Sequence, residues 1–521
     1  MEKKYFVSSA EMKKYDRATI NDFQVPSLVL MERAALETVG EIEKRFGKGS
    51  RVLVVSGTGN NGGDGIAVGR ILMQRGYEVD FVLIGAEEKY SEETRHQLVI
   101  IAKYGCTLKS KIESMEYDII IDALFGIGLS RNVEGIYKKC IETMNSISGF
   151  IVSVDIPSGI NADTGAVMNA AVKADITVTF AFEKLGHILY PGCEYCGEVL
   201  CKDIGITKES FRGEEGPRVY SYADRYREQA AALMPARSRG GNKGTFGKAL
   251  VIAGSRNMSG ACELCARSAY RIGAGMVKVV TPEENREIIQ KNLPEALLST
   301  YTDAEKTESW KEFLQDLKES MKWADCIVIG PGIGKSGTAS ILFKYVVKES
   351  AKPLVIDADG LNLLAESEEL QELLRTLSLK ESRQIIVTPH VAEFARLYGC
   401  RPEEVKKDII SKTKELADRL CCTVVCKDAR TAVADYMKRD VYLNATGNDG
   451  MATAGSGDVL AGIIGGLLTQ GVRCREAAEA GVFLHGRLGD LAAERTGRYA
   501  VMAGDLTEQL KYILSDEGKR R

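Results

Sequence analysis

Alternation constrains this chain more than any other feature. Apolar, β-branched runs recur with helix-patterned stretches between them. In the first half the spacing predicts strands at Arg51–Ser56, Val79–Ile84, Asp118–Leu124, Phe150–Asp155 and Ile176–Phe180, and helices at Leu28–Phe46, Ile66–Gly76, Ser91–Tyr104 and Val133–Met144. Apolar strands alternating with helices imply a parallel sheet covered on both faces. At Glu209–Arg218 the pattern breaks into charged residues with two glycines and a proline, which reads as a linker. A second alternating series starts at Lys248–Gly254 and continues through Val277–Val280, Cys326–Ile329, Leu354–Asp357, Gln384–Val387 and Thr423–Cys426. The expected class is therefore α/β, with two three-layer αβα domains at 1–215 and 225–521 joined by a linker at 216–224. The halves share an architecture class without repeating each other in sequence.

The 521 residues exceed one ordinary core, in agreement with that division. A net charge of −3 supplies no basic field for nucleic acid or anionic lipid. No run of about 18 apolar residues is present, so no span of a bilayer is expected. The opening Met1-Glu2-Lys3-Lys4 lacks a signal-peptide core. Thirteen scattered cysteines read as reduced thiols and point to the cytoplasm. Two CxxC pairs, Cys193/Cys196 and Cys262/Cys265, could supply zinc ligands. The second pair lies in a helix-patterned stretch about 65 residues away, and packing of small apolar side chains is the preferred reading.

Ligands of parallel sheets sit beyond the carboxyl ends of the strands. In the first half those ends carry Gly57–Gly65, Phe125–Arg131 and Asp155–Gly159. Gly57-Thr58-Gly59-Asn60-Asn61-Gly62 matches GxGxxG, but a phosphate cradle needs only backbone N–H groups. Asn60, Asn61 and Asp64 add side-chain oxygens that suit a cation or a polar substrate. Asp80 stands near the start of its run, the wrong end to grip a ribose. Asp122 and Asp155 each end a strand before a tight turn. Asp122 and Asn61 can offer oxygens to a monovalent cation, which leaves Asp155 as a candidate proton carrier.

In the second half, Asn448–Asp458 is a glycine-rich run ending in Asp458 and followed by an apolar helix. Such a turn makes an anion site from free N–H groups and the helix dipole. An acid there would repel a phosphate. It makes sense as a base that deprotonates a hydroxyl attacking a phosphoryl group. Gly330–Ser336 misses the P-loop spacing by one residue. Asp357–Gly360 and Thr388–Glu393 also follow strands, and His390, one of four histidines, ends its strand at the ligand edge.

These motifs carry a resemblance. Asn60–Gly65, Asp122–Leu129, Val154–Gly159 and the opening Ser9–Met12 and Leu30–Ala35 together resemble the NAD(P)H-hydrate epimerase family, or YjeF N-terminal domain, over roughly residues 1 to 215. The resemblance implies a Rossmann-like fold that interconverts the R and S forms at the hydrated ring carbon. It implies cofactor contacts from Asn60, Asn61, Gly62, Gly63 and Asp64, from Gly126, Ile127, Gly128, Leu129, Ser130, Arg131 and Asn132, and from Asp155. It also implies K+ on Asn61, Asp122 and Ser158. From about residue 225 onward, Lys243–Lys248, Gly254–Ala261, Gly330–Gly334, Thr388–Leu397 and Asn448–Asp458 resemble ribokinase-like NAD(P)H-hydrate dehydratases. Ala454 stands where that family more often has glycine. Here the resemblance implies that Ala261, Gly332, Gly334, His390 and Asp458 touch the hydrate. Lys427, Asp428, Ala429, Arg430, Thr431 and Gly457 would touch the nucleotide, expected to be ADP with Mg2+. A homo-oligomer without nucleic-acid or membrane partners is expected. The alternative is a ribokinase-type small-molecule kinase fused to a ligand- or partner-binding Rossmann-like domain.

Overall fold

The computed structural model describes residues 3–206, 216–222, 233–302 and 308–513. Two compact units emerge, Tyr5–Val219 and Tyr220–Arg521, with Lys3 and Lys4 grouped in the second. The expected linker falls partly on residues 207–215 and 223–224, outside the described residues. Between them Val219–Tyr222 is a buried strand, so 216–224 is not irregular throughout. Tyr220 and Tyr222 read as linker only because four residues carry too little period to register.

The N-terminal unit holds a seven-stranded parallel sheet. Its order is Leu108–Lys109, Glu78–Leu83, Arg51–Ser56, Ile119–Ala123, Phe150–Val154, Ile176–Phe180 and Glu198–Lys202. Residues along Arg51–Ser56 alternate between two cores. Val52 and Val54 pack on one face, Leu53 and Val55 on the other. The two-sided burial follows from helices on both faces. The order reverses between Arg51–Ser56 and Ile119–Ala123, and that switch point opens a crevice beside Gly57 and Leu124. A short parallel pairing, Phe6 with Glu183 and Val7 with Lys184, lies apart from this sheet. The helix expected from Ile66 starts at Asn60, so the glycine-rich segment is its opening turns rather than a loop.

The C-terminal unit orders its strands Leu297–Tyr301, Met276–Pro282, Lys248–Ile252, Cys326–Ile329, Leu354–Ile356, Ile385–Val387 and Thr423–Cys426, all parallel. Ala432–Asp435 and Val441–Leu443 then run antiparallel. The switch point falls between Lys248–Ile252 and Cys326–Ile329, where Gly254 N donates to Pro331 O at 2.8 Å. Helix Ser456–Thr469 is the most apolar in this unit and packs on helix Ser259–Arg271. A Cβ at Gly462 would meet Cys265 O at 2.2 Å, and one at Gly466 would meet Ile272 Cγ2 at 2.2 Å. Only glycine permits that approach. Cys262 and Cys265 are buried along this interface. Among the described residues no helix is long and apolar enough to cross a membrane.

Candidate active sites

In the N-terminal unit, a cavity of about 640 Å³ opens at the carboxyl edge of the sheet. It gathers Asn60, Asn61, Asp64 and Asp155, with Gly126, Ile127, Gly128, Leu129, Ser130 and Arg131 from one turn. Gly62 and Gly63 do not line it. A Cβ at Gly62 would lie 1.9 Å from Gly57 O, and one at Gly63 would lie 2.7 Å from Met31 Cε, so both are packing positions. Asn132 is exposed and also stands outside the lining.

Asp155 has φ of 68°, a strained value for a non-glycine residue. Its backbone N–H donates to Val178 O at 2.8 Å, and its Oδ1 accepts from Thr179 Oγ1 at 3.0 Å and from Lys184 Nζ. Lys184 is almost wholly buried and also donates to Thr179 Oγ1 at 2.7 Å. Asp64 is held well above the ordinary carboxylate range, first by burial and then by Asp155, Asp16 and Glu93. Asp16 is pushed up to about 6, first by burial; Asp155 adds to the rise and Lys184 opposes it. Sequence reasoning missed both Asp16 and Lys184. Asp16 stands within a helix, and Lys184 opens a short turn with a single glycine, Leu185–His187. The available signal was an acid two residues before Ala18 in an otherwise amphipathic helix, and a lysine just past a strand end.

Asp122 is fully buried, and burial raises its carboxyl although Ser158 N and Ser153 Oγ donate to it, each at 2.8 Å. Ser158 Oγ accepts from Phe125 N at 2.8 Å and donates to Phe125 O at 3.3 Å. Both amide atoms of Asn61 are buried without a hydrogen-bond partner. A Cβ at Gly126 would touch Asn61 Cγ at 3.2 Å, so this amide lies against the Gly126 turn.

In the C-terminal unit, Gly455 at φ 90° turns the chain into helix Ser456–Thr469, whose first turn carries Asp458. Burial pushes the Asp458 carboxyl up to about 7; Asp357, Asp359 and Glu393 add to the rise, and Lys427 opposes it. Asp357 is buried and accepts from Thr388 Oγ1 at 2.6 Å and Lys427 Nζ at 2.7 Å. A Cβ at Gly457 would stand 3.2 Å from Lys427 Nζ, so this ion pair lies against the glycine turn. Lys427 is thus already paired. Asp428 and Ala429 are exposed and Arg430 and Thr431 half-buried, on the turn between antiparallel strands Thr423–Cys426 and Ala432–Asp435.

A Cβ at Gly332 would meet Ala261 Cβ at 2.9 Å, so these two predicted residues adjoin. Gly334 N donates to Asp359 Oδ2 at 2.9 Å. His390 caps helix Val391–Tyr398: its Nδ1 accepts from Ala392 N at 3.1 Å, and Glu393 Oε2 accepts from His390 N at 2.9 Å. His390 is bridged to Lys427, whose N–H donates to Pro389 O at 2.8 Å. Burial raises Glu393 to about 7. Asp357, Glu393 and the buried His485 received no site role from sequence reasoning, because ion pairs and caps between distant strands carry no local pattern.

The family described as YjeF-related protein N-terminus matches residues 27–186, and that described as NAD(P)H-hydrate dehydratase matches residues 249–512. A Rossmann-like unit of the first type followed by a ribokinase-like unit of the second is the class that fold and sites define. The bifunctional NAD(P)H-hydrate repair enzyme Nnr of Moorella thermoacetica is 35% identical over 98% of this chain and 96% of its own. The enzyme of the same name from Escherichia coli is 32% identical over 89% and 85%. The solved ADP/ATP-dependent NAD(P)H-hydrate dehydratase of Bacillus subtilis, co-crystallised with ATP/Mg2+, is 28% identical, covers 55% of this chain and 95% of its own, and has a TM-score of 0.46. The chain belongs to the family of bifunctional NAD(P)H-hydrate repair enzymes.

Proposed function

We propose that each unit performs one step in restoring hydrated NAD(P)H. The N-terminal unit exchanges the R and S hydrates, with Asp155 carrying a proton and Lys184 holding its carboxyl in place. The C-terminal unit dehydrates the S form with ADP, giving AMP and phosphate. Asp458 takes the proton from the ring hydroxyl as its oxygen attacks the terminal phosphoryl group, and the free N–H groups of the Gly455 turn meet the developing charge. Phosphate then departs, driven by the ring nitrogen lone pair, and loss of the neighbouring proton restores the reduced ring. The carrying observation is Asp458 itself: a carboxyl raised to about 7, placed where a helix N-terminus binds anions.

The unsatisfied amide of Asn61 packs on Gly126, next in sequence to Phe125, whose N–H meets Ser158 Oγ, and Ser158 N in turn meets Asp122; this set of oxygens fits an oxygen-ligated monovalent cation. K+ bound there would supply a fixed charge near the cavity. Mg2+ carried in on the nucleotide would neutralise its phosphates; among the described residues no cluster of three His, Cys, Asp or Glu side chains forms a protein cage for a metal. The thiols, free of disulfides, support a reducing cytoplasmic setting, and a homo-oligomer remains part of this reading.

The test compares two isosteric variants in NAD(P)H recovery. With pure S hydrate and ADP, Asp458→Asn should lose on the order of 10²–10⁴-fold in rate, while epimer exchange persists. Asp155→Asn should stop exchange and still repair the S form. A parent-like dehydration rate in Asp458→Asn removes the assigned base. A stable phosphorylated product would instead favour a small-molecule kinase.

A further inference from the structure

Helix Ser9–Asn21 reaches the N-terminal cavity by a defined route. Strand residues Phe6 and Val7 pair with Glu183 and Lys184, so the chain enters the helix beside the buried lysine. Ser8 then starts the helix through a capping box with Glu11. Tyr15 packs its ring on Phe182 at 5.8 Å, which fixes the helix rotation. Met12, Asp16 and Ile20, four residues apart, fall on one stripe, and all three line the cavity. A carboxyl between Met12 and Ile20 is costly unless it has a task. Among the described residues no hydrogen bond or ion pair holds it.

We propose that Asp16 is the second proton carrier of the epimerase site, the acid that works with the Asp155 carboxylate. This rests on the reading of Asp155 given above. Exchange at a ring carbon bearing both hydroxyl and nitrogen needs one group to take a proton and another to give one. Asp155 removes the proton from the ring hydroxyl, the oxygen lone pair forms a carbonyl, and the carbon–nitrogen bond breaks. Asp16 gives its proton to the departing nitrogen. Half a turn about the neighbouring carbon–carbon bond presents the other face. The nitrogen attacks the carbonyl, its proton returns to Asp16, and Asp155 returns its proton to oxygen. Protons and electrons balance with no further reactant.

The electrostatics divide the two carboxyls in the required way. Asp155 is paired with the buried Lys184, a partner that Asp16 lacks among the described residues. Burial pushes Asp16 up to about 6, so it holds a proton at mildly acid pH. The charged groups facing Asp16 are Asp64, Glu93, Asp155, Lys184 and Arg131 from other elements, with Lys13 and Arg17 on its own helix.

The experiment follows epimer exchange of pure R hydrate by proton NMR, without nucleotide, across pH 5 to 8, in the full chain. In the parent, the rate should decline as pH rises through about 6, where Asp16 loses its proton. Asp16→Asn should lose on the order of 10²–10⁴-fold and lose that alkaline arm. Its Tm and its dehydration of S hydrate should match or exceed the parent's, since no carboxylate is buried. Asp16→Glu should recover part of the rate with the arm displaced, and it decides the matter if the asparagine variant fails to fold. A parent-like rate in Asp16→Asn, or a lost rate with the arm intact, overturns the proposal. If Asp155→Asn exchanges epimers normally, the reading of Asp155 fails instead, and that result is separate.

Discussion

His485 shows how a single buried side chain braces the turn that carries Asp458. It is enclosed on helix Cys474–Thr496, and its Nε2 lies 2.9 Å from Ser456 O at the start of the Asp458 helix. A carbonyl only accepts, so the ring proton sits on Nε2 and the imidazole is neutral. Burial pushes its pKa down to about 4, Lys427 adds to the fall, and the bond to Ser456 opposes it. The folded-state value lies below the unfolded one of 6.5. Its contribution to stability is therefore complete above pH 6.5 and is lost as pH falls toward 4. The shift corresponds to ~3 kcal/mol. His485→Gln keeps a donor to Ser456 O without titrating. Urea denaturation at pH 7 and pH 4.5 should show a smaller stability difference in this variant than in the parent. Equal differences would mean that His485 does not report on the turn.

Among elements, helix Asn60–Gln74 is the one whose sequence is easiest to misread. Five glycines near its start suggest a loop, yet Gly57, Gly62, Gly63 and Gly65 serve close packing. A Cβ at Gly62 would run into Gly57 O at 1.9 Å, and both are backbone-fixed, whereas one at Gly59 meets nothing within 4 Å. Gly59 also has φ of −90°, open to any residue. Gly62→Ala should therefore destabilise the N-terminal unit by about 1–3 kcal/mol, the cost of an overpacked core. Gly59→Ala should cost less, about 0.5–1 kcal/mol, because alanine caps a helix less well than glycine but meets no clash here. Thermal unfolding of the two variants checks the contrast.

At the scale of the whole molecule, each unit owns a core and a switch-point site, so each should unfold as its own transition. The first strand of the C-terminal unit matters more than a linker would. Tyr220 and Tyr222 donate to Glu479 at 2.7 and 2.5 Å, and Arg475 Nε donates to the same carboxylate at 2.7 Å. A fragment 216–521 keeps these donors, whereas 233–521 leaves Glu479 buried with two of them missing. Each unmet bond costs roughly 1–3 kcal/mol. Calorimetry should give the shorter fragment a lower Tm, and equal values would reduce Val219–Tyr222 to an ornament of the boundary.

The sequence alone determined the two parallel sheets, because strands buried on both faces must be apolar throughout and must alternate with helices. It also placed the loops rich in glycine and acids at the carboxyl edge of each sheet, where ligands of parallel sheets sit. Asp155 and Asp458 were legible there as acids beside glycine turns. The short strands Lys3–Val7 and Val219–Tyr222 were not legible, being too brief to show a period. Asp16 and Lys184 come to one cavity only through the Val7–Lys184 pairing, across some 177 residues of chain. Asp357 meets Lys427 in the same way, past the end of the strand Ile385–Val387 that lies between theirs. Local pattern reports what one segment needs, a covered face or a tight turn. Which charges neutralise one another, and so which carboxyl keeps its proton, depends on burial and distance between segments, and these exist only in the folded chain.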